Sequence, residues 1–170
     1  MIETTRCRIM RTAFKDIRGI NVLYNDANVW AYLGGKPNLA RKIRGLISRI
    51  LPGNNCLYWE VRSKDTNRFL GSMSLTPHHD GMYTEISYTF LSSIWGKGYA
   101  TEAVGALVKY AFDVLGHEKL IAETQSANTA SCAILRKLGF YEEQRLVRFG
   151  AEQIIWVIDR QGEDLNDSST

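Results

Sequence analysis

The residues best suited to chemistry lie in two short stretches of a 170-residue chain. The first is Trp95, Gly96, Lys97, Gly98, Tyr99, Ala100 and Thr101, running on into Glu102 and Ala103, where a glycine turn opens a helix. Gly96 and Gly98 let the backbone take positive φ and come close to a ligand, and the N–H groups of a first helical turn have no partner within the helix. Together these features make an anion site suited to a pyrophosphate. Glycines at GxGxxG spacing and the residues of a P-loop are absent, and the preceding strand belongs to an antiparallel meander, so nucleotide fingerprints do not apply. The second stretch is Asn128, Thr129, Ala130 and Ser131, at the start of another helix. Asn128 suits an N-cap, and the Ser131 hydroxyl can bond back to a carbonyl within the helix. Glu85, within TEISYTF, is a strand carboxylate that by itself reads as solvated or as part of an ion pair. His78, His79 and His117 lack metal-like spacing with carboxylates, so no metal is expected, and His78 and His79 read as a surface turn or, less often, as lining the mouth of the site.

These residues need a scaffold that alternates strand and helix. Residues 6–11 read as a first strand, 14–33 as a helix with Ile17, Ile20, Leu23 and Tyr24 at helical spacing, and 39–50 as a second helix with Pro37 at its start and Pro52 at its end. That second helix carries an apolar stripe and a basic face. Segments 57–62, 69–75 and 83–91 form a strand meander. A long helix from Ala100 to Leu115 is ended by Gly116, a buried strand covers 120–124, and a helix over 130–138 is closed by Gly139. Two strands, 141–149 and 152–158, complete a single domain of residues 1–160. The polar segment 161–170 lacks the apolar content to offset its ordering entropy and reads as a disordered tail.

Composition narrows the function classes. The net charge of +3 is spread along the chain, unlike the basic runs of nucleic-acid tails. Residues 1–10 carry charges without a signal-length apolar run, and no run of about 18 apolar residues occurs, so no membrane span is expected. Cys7, Cys56 and Cys132 are odd in number and contain no CxxC pair, which fits a reducing cytoplasm.

At this point the sequence resembles the GNAT superfamily of acetyltransferases. Its strand-to-helix loop carries glutamine or arginine, two variable residues, glycine, one variable residue, then glycine or alanine. Residues 95–100 match it through Gly98 and Ala100, with Trp95 in the polar first position. The run WGKGYATEA looks like the branch containing the ribosomal-protein alanine and serine N-acetyltransferases and many small-amine acetyltransferases. Asn128 and Ser131, followed by Ile134, Leu135, Lys137, Leu138, Gly139 and Phe140, are similar to the family's NxxS…xLxKLGF block. Element order agrees over about residues 2–158, and the specific matches fall within 85–140.

The resemblance implies an α/β (α+β) GNAT fold, a central mixed, mostly antiparallel sheet of about seven strands flanked by about four helices. Its fourth and fifth strands, here 83–91 and 120–124, splay so that pantetheine pairs as a pseudo-strand, with a bulge among Tyr88, Thr89, Phe90 and Leu91 creating the opening. Their aromatic side chains are read as core filling. Acetyl-CoA is the implied cosubstrate, bound by Phe90, Leu91, Trp95, Gly96, Lys97, Gly98, Tyr99, Ala100, Thr101, Asn128 and Ser131. A backbone N–H around Leu91 would stabilise the oxyanion. Glu85 is the implied base, with Glu152 a second candidate. Many relatives use as acid a tyrosine four residues before the glycine of GF; Leu135 stands there, which leaves Ser131 as the donor near sulfur. The implied acceptor is a small-molecule or peptide amine, and a second copy of the chain is a candidate partner. A non-catalytic acyl-CoA-binding regulator on the same fold is the alternative.

Overall fold

The computed structural model describes residues 1–160 apart from 14, 15, 34, 36, 52, 54 and 80. The chain runs β1 (Ile2–Glu3), β2 (Cys7–Arg11), α1 (Ile17–Asn25), a 3₁₀ segment (Ala27–Tyr32), α2 (Leu39–Ile50), β3 (Leu57–Ser63), β4 (Phe69–Pro77) and β5 (Thr84–Phe90). A second 3₁₀ segment (Ser92–Ile94), α3 (Tyr99–Asp113), β6 (Lys119–Gln125), α4 (Thr129–Lys137), β7 (Tyr141–Arg148) and β8 (Ala151–Asp159) follow. The expected start at Phe14, the Pro52 terminator and the tail 161–170 lie outside the described residues.

Among the described residues eight strands join one sheet in the order β1-β2-β3-β4-β5-β6-β8-β7, one more than expected because β1 is too short to leave a periodic signal. Every pairing is antiparallel except β5 with β6. β4 is buried continuously from Phe69 to Leu75 and β8 from Gln153 to Val157, the pattern of strands covered on both faces. On this sheet α3 sets Ala103, Val104, Leu107, Val108, Ala111 and Phe112 into the core. Full burial of each larger side chain contributes about 1.5–3 kcal/mol. Gly19 of α1 lies so close to the Phe69 ring that a Cβ would fall 2.5 Å from it, so glycine sets how near α1 approaches β4.

The expected helix over 14–33 breaks at Asp26, whose extended backbone (φ −79, ψ 103) ends α1 and starts the 3₁₀ segment. Asp26 also accepts from Ser92 N (2.8 Å) and Ser92 Oγ (3.1 Å), tying this corner to the chain just beyond β5. On α2, Asn38 is the N-cap, with Oδ1 accepting from Arg41 N, and Pro37 precedes it outside the helix. The apolar stripe of α2 is turned outward: Leu39, Ile43 and Ile47 are 72, 48 and 53% exposed. No described helix is long and apolar enough to cross a membrane.

Candidate functional site

β5 and β6 pair only at Thr84↔Leu120 and Glu85↔Ile121, after which they diverge. β4 and β5 keep register without a shift from Pro77↔Thr84 to Gly71↔Phe90. The expected bulge is therefore absent from this pair, and the opening comes from divergence of the two parallel strands. Glu85 sits in the last pair before the strands part.

On one side of the opening lies a cleft of about 470 Å³, walled by β5 at Tyr88 to Phe90, by the loop from Trp95 through Thr101, and by the start of α4. Gly96 (φ 72) and Gly98 (φ 78) both take the left-handed conformation that the sequence pattern requires. Gly98 caps α3 with no side-chain bond, and Glu102 N is the first helix amide to reach a carbonyl, Gly98 O at 3.1 Å. The preceding turn thus presents its N–H groups outward, as an anion site needs. Arg6 braces this turn: its Nε meets Glu102 Oε2 at 2.6 Å, Nη1 donates to Lys97 O at 2.9 Å, and the guanidinium lies 4.4 Å from the Tyr99 ring centre. Burial opposes ionisation of Glu102, but bonds from Thr4 Oγ1 and Arg6 outweigh it and hold the carboxyl below its usual range.

Trp95, in the polar first position of the loop, donates its indole N–H to Phe90 O at 2.9 Å and pins the loop to the end of β5. Leu91 N–H cannot serve an oxyanion in this arrangement, because it donates to Leu70 O at 2.9 Å. Leu91 is buried and only Phe90 of that pair lines the cleft. Asn128 caps α4, its Oδ1 accepting from Ser131 N at 3.2 Å, and both residues still line the cleft. Lys97 turns its ammonium to Ser93 O instead.

A second cavity of about 540 Å³ adjoins the first, and Tyr88, Thr89, Asn128 and Ser131 form walls of both. Glu85 faces this second space. Burial raises its carboxyl above the usual range, against the lowering effect of the bond from Ser87 Oγ (2.8 Å), which brings it closer to the pH at which a base works. Glu123 of β6 also lines the cavity, its side chain only 10% exposed, with Oε1 buried and without a hydrogen bond. Its Oε2 meets Arg148 Nη1 at 2.9 Å and His78 Nε2 at 3.4 Å. His78 is buried rather than in the expected surface turn, while His79 is half exposed and touches Arg148. Among the described residues His78, His79 and Glu123 bring metal-type donors together, but the Arg148 guanidinium already supplies the cation there.

Glu152 stands away from the opening, exposed and paired with Arg145 at 3.3 Å. It lines neither cavity. A larger depression of about 910 Å³ lies elsewhere, between α3 and the C-terminal end of β8, where Lys109 and Asp113 pair with each other. Sequence reasoning missed Glu123, although a carboxylate in the apolar run LIAETQ was a usable signal, and it missed the hydroxyl of Tyr88, which lies 2.8 Å from Ser131 Oγ.

Comparison with known proteins agrees with this geometry. Residues 6–141 match the family model described as an acetyltransferase (GNAT) domain. The uncharacterized protein YkkB of Bacillus subtilis is 31% identical over 125 residues, 71% of this chain and 72% of that protein. The uncharacterized N-acetyltransferase YnaD of the same organism is 25% identical over 142 residues, 84% of this chain and 83% of its own. Among solved structures, a GNAT-family acetyltransferase from Bacillus anthracis superposes with a TM-score of 0.80 at 22% identity, covering 93% of this chain and 97% of that one. Spermidine N-acetyltransferase from Vibrio cholerae, in complex with CoA and spermine, gives a TM-score of 0.78 at 18% identity, with 92 and 96% covered. With its glycine turn at the head of α3, its splayed β5 and β6 and its matching family model, the chain belongs to the GNAT acetyltransferase family and is an N-acetyltransferase that uses acetyl-CoA.

Proposed function

We propose that this protein transfers the acetyl group of acetyl-CoA directly to a primary amine, within one domain spanning residues 1–160. The observation that carries this reading is the meeting of two cavities at the β5–β6 opening. One has the unpartnered first turn of α3, suited to a pyrophosphate, and the other has the half-buried carboxylate of Glu85.

Glu85 takes the proton of the incoming ammonium, directly or through water, and Ser131 donates to the departing sulfur. Lys97 to Thr101 hold the pyrophosphate on their backbone. The acceptor arrives as an ammonium cation, and Glu123, although matched by Arg148, keeps one oxygen without a hydrogen bond beside this cavity. The spermine held by the Vibrio cholerae neighbour supports an amine acceptor of this kind.

An α-amino group is favoured over a lysine side chain. The former has a pKa of about 8 and the latter about 10.4, so near pH 7 roughly a tenth of one is neutral against a few parts in ten thousand of the other. Thiol release from acetyl-CoA, measured with a free-N-terminal peptide, its N-acetylated lysine-containing counterpart and a polyamine, tests both points. Turnover fastest with the free N-terminus is expected. Faster reaction of the lysine form defeats the preference, and acetyl-CoA binding with no turnover on any of these amines defeats the primary-amine assignment.

A further inference from the structure

An amine that attacks a thioester must be matched by something that receives negative charge on sulfur. The helix position that would carry a tyrosine for this purpose holds Leu135, which is fully buried. A phenol reaches the same place from another element. Tyr88, on β5, sets its Oη 2.8 Å from Ser131 Oγ and 3.4 Å from Ser131 O, and both residues wall the two cavities where they meet.

We propose that Tyr88 and Ser131 form a two-hydroxyl chain that holds the leaving group as a thiolate, with Ser131 touching sulfur and Tyr88 a positioning residue acting through it. This rests on the acetyl-transfer reading, in which Ser131 faces sulfur. A hydroxyl carries one proton and accepts through its lone pairs. When Tyr88 donates to Ser131 Oγ, the Ser131 proton is freed to point into the cleft, and each bond in such a chain strengthens the next. Charge developing on sulfur selects this orientation over the reverse.

The chain donates without passing its proton on. Burial pushes the Tyr88 phenol up to about 12, so it stays protonated wherever the enzyme works. A thiol ionises near about 8.5, so a phenol this weak cannot protonate a thiolate to any useful extent. The balance of the reaction is then explicit. The ammonium gives its first proton to Glu85, which passes it to water; the neutral nitrogen then bonds to the acetyl carbon, the carbon–sulfur bond breaks with its electron pair on sulfur, and the freed Glu85 carboxylate takes the second nitrogen proton. The thiolate leaves as an anion and is protonated by water outside the site.

The test follows the thiol of bound coenzyme A by the ultraviolet absorbance of its thiolate as pH is raised, with no amine present. In the wild-type complex the bound thiol is expected to ionise about one pH unit below the free thiol, since a hydrogen bond to the charged form favours it. Tyr88→Phe and Ser131→Ala should each lose most of that shift, and the double variant no more than either, as residues acting in series do. Replacing Tyr88 with a fluorinated tyrosine keeps the ring and hydroxyl, makes the phenol a stronger donor, and should move the bound thiol further down. If Ser131→Ala abolishes the shift while Tyr88→Phe or the fluorinated residue leaves it unchanged, the chain is wrong and Ser131 alone acts. If the wild-type complex shows no shift, the two hydroxyls do not hold the thiolate and the chain is wrong, whereas the transfer reading is judged separately by thiol release with amines.

Discussion

Glu85 combines two properties that pull against each other. Burial that makes its carboxyl a better-matched base also makes its ionised form costly to fold. Because the folded pKa is raised above the unfolded one, the unfolded chain releases this proton first as pH rises. Stability contributed here is greatest below the unfolded pKa and is lost as pH climbs through the folded pKa. Glu85→Gln is therefore expected to melt at or above the wild-type temperature at neutral pH, measured by thermal scanning, while acetyl transfer falls by about 10² to 10⁴. With an α-amine acceptor the loss should shrink toward pH 9, where the amine is already mostly neutral; a loss independent of pH would assign Glu85 to binding. Glu85, Asn128 and Ser131 were legible in the sequence because each belongs to a local pattern. Tyr88 was not, because its meaning depends on a partner 43 residues away, and the carboxylate in LIAETQ, though a signal in itself, did not reveal the Arg148 that Glu123 meets 25 residues on.

At the scale of elements, local signals worked where the backbone itself imposed the residue. Gly98, Gly116 and Gly139 have φ of 78, 72 and 88, the left-handed values that made them readable as helix boundaries. The strand read as 141–149 stops at Arg148 because Phe149 (φ 55) and Gly150 (φ 76) form a two-residue hairpin turn. Patterns that needed tertiary context were read less well. The stripe on α2 has helical period, yet its outward rows are left uncovered, since periodicity reports a face and not what covers it. Gly98→Val tests the α3 turn. A branched residue there is strained by about 1–2 kcal/mol, and its Cβ would lie 3.3 Å from Arg6 Nη2, pushing on the brace of the loop. Calorimetry should show acetyl-CoA affinity reduced by about tenfold or more, equivalent to about 1.4 kcal/mol, in a protein that still folds. Unchanged affinity would place the pyrophosphate elsewhere.

Over the whole molecule, the half of the sheet away from the opening is held by a buried charge group. Glu60, fully buried on β3, accepts from Arg62 Nε at 2.8 Å and Nη2 at 3.1 Å, and the same guanidinium lies 3.6 Å from buried Asp16 beside α1. Arg62→Ala would leave two buried carboxylates facing each other, and chemical denaturation should report a loss of about 3 kcal/mol, whereas Glu60→Gln should cost less. The other half contains the single parallel pair, and its brevity has a consequence for hydrogen exchange. Past Glu85 and Ile121, alternate amides of β5 and β6 point into the gap, while their chain neighbours bond outward to β4 and β8. Deuterium uptake resolved to single amides should alternate between fast and slow along residues 86–90 and 122–125, in strands whose side chains are all at least partly buried. Saturating acetyl-CoA should slow the fast amides and leave the slow ones unchanged, so that the strand missing from the middle of the sheet is registered as protection gained at every second residue.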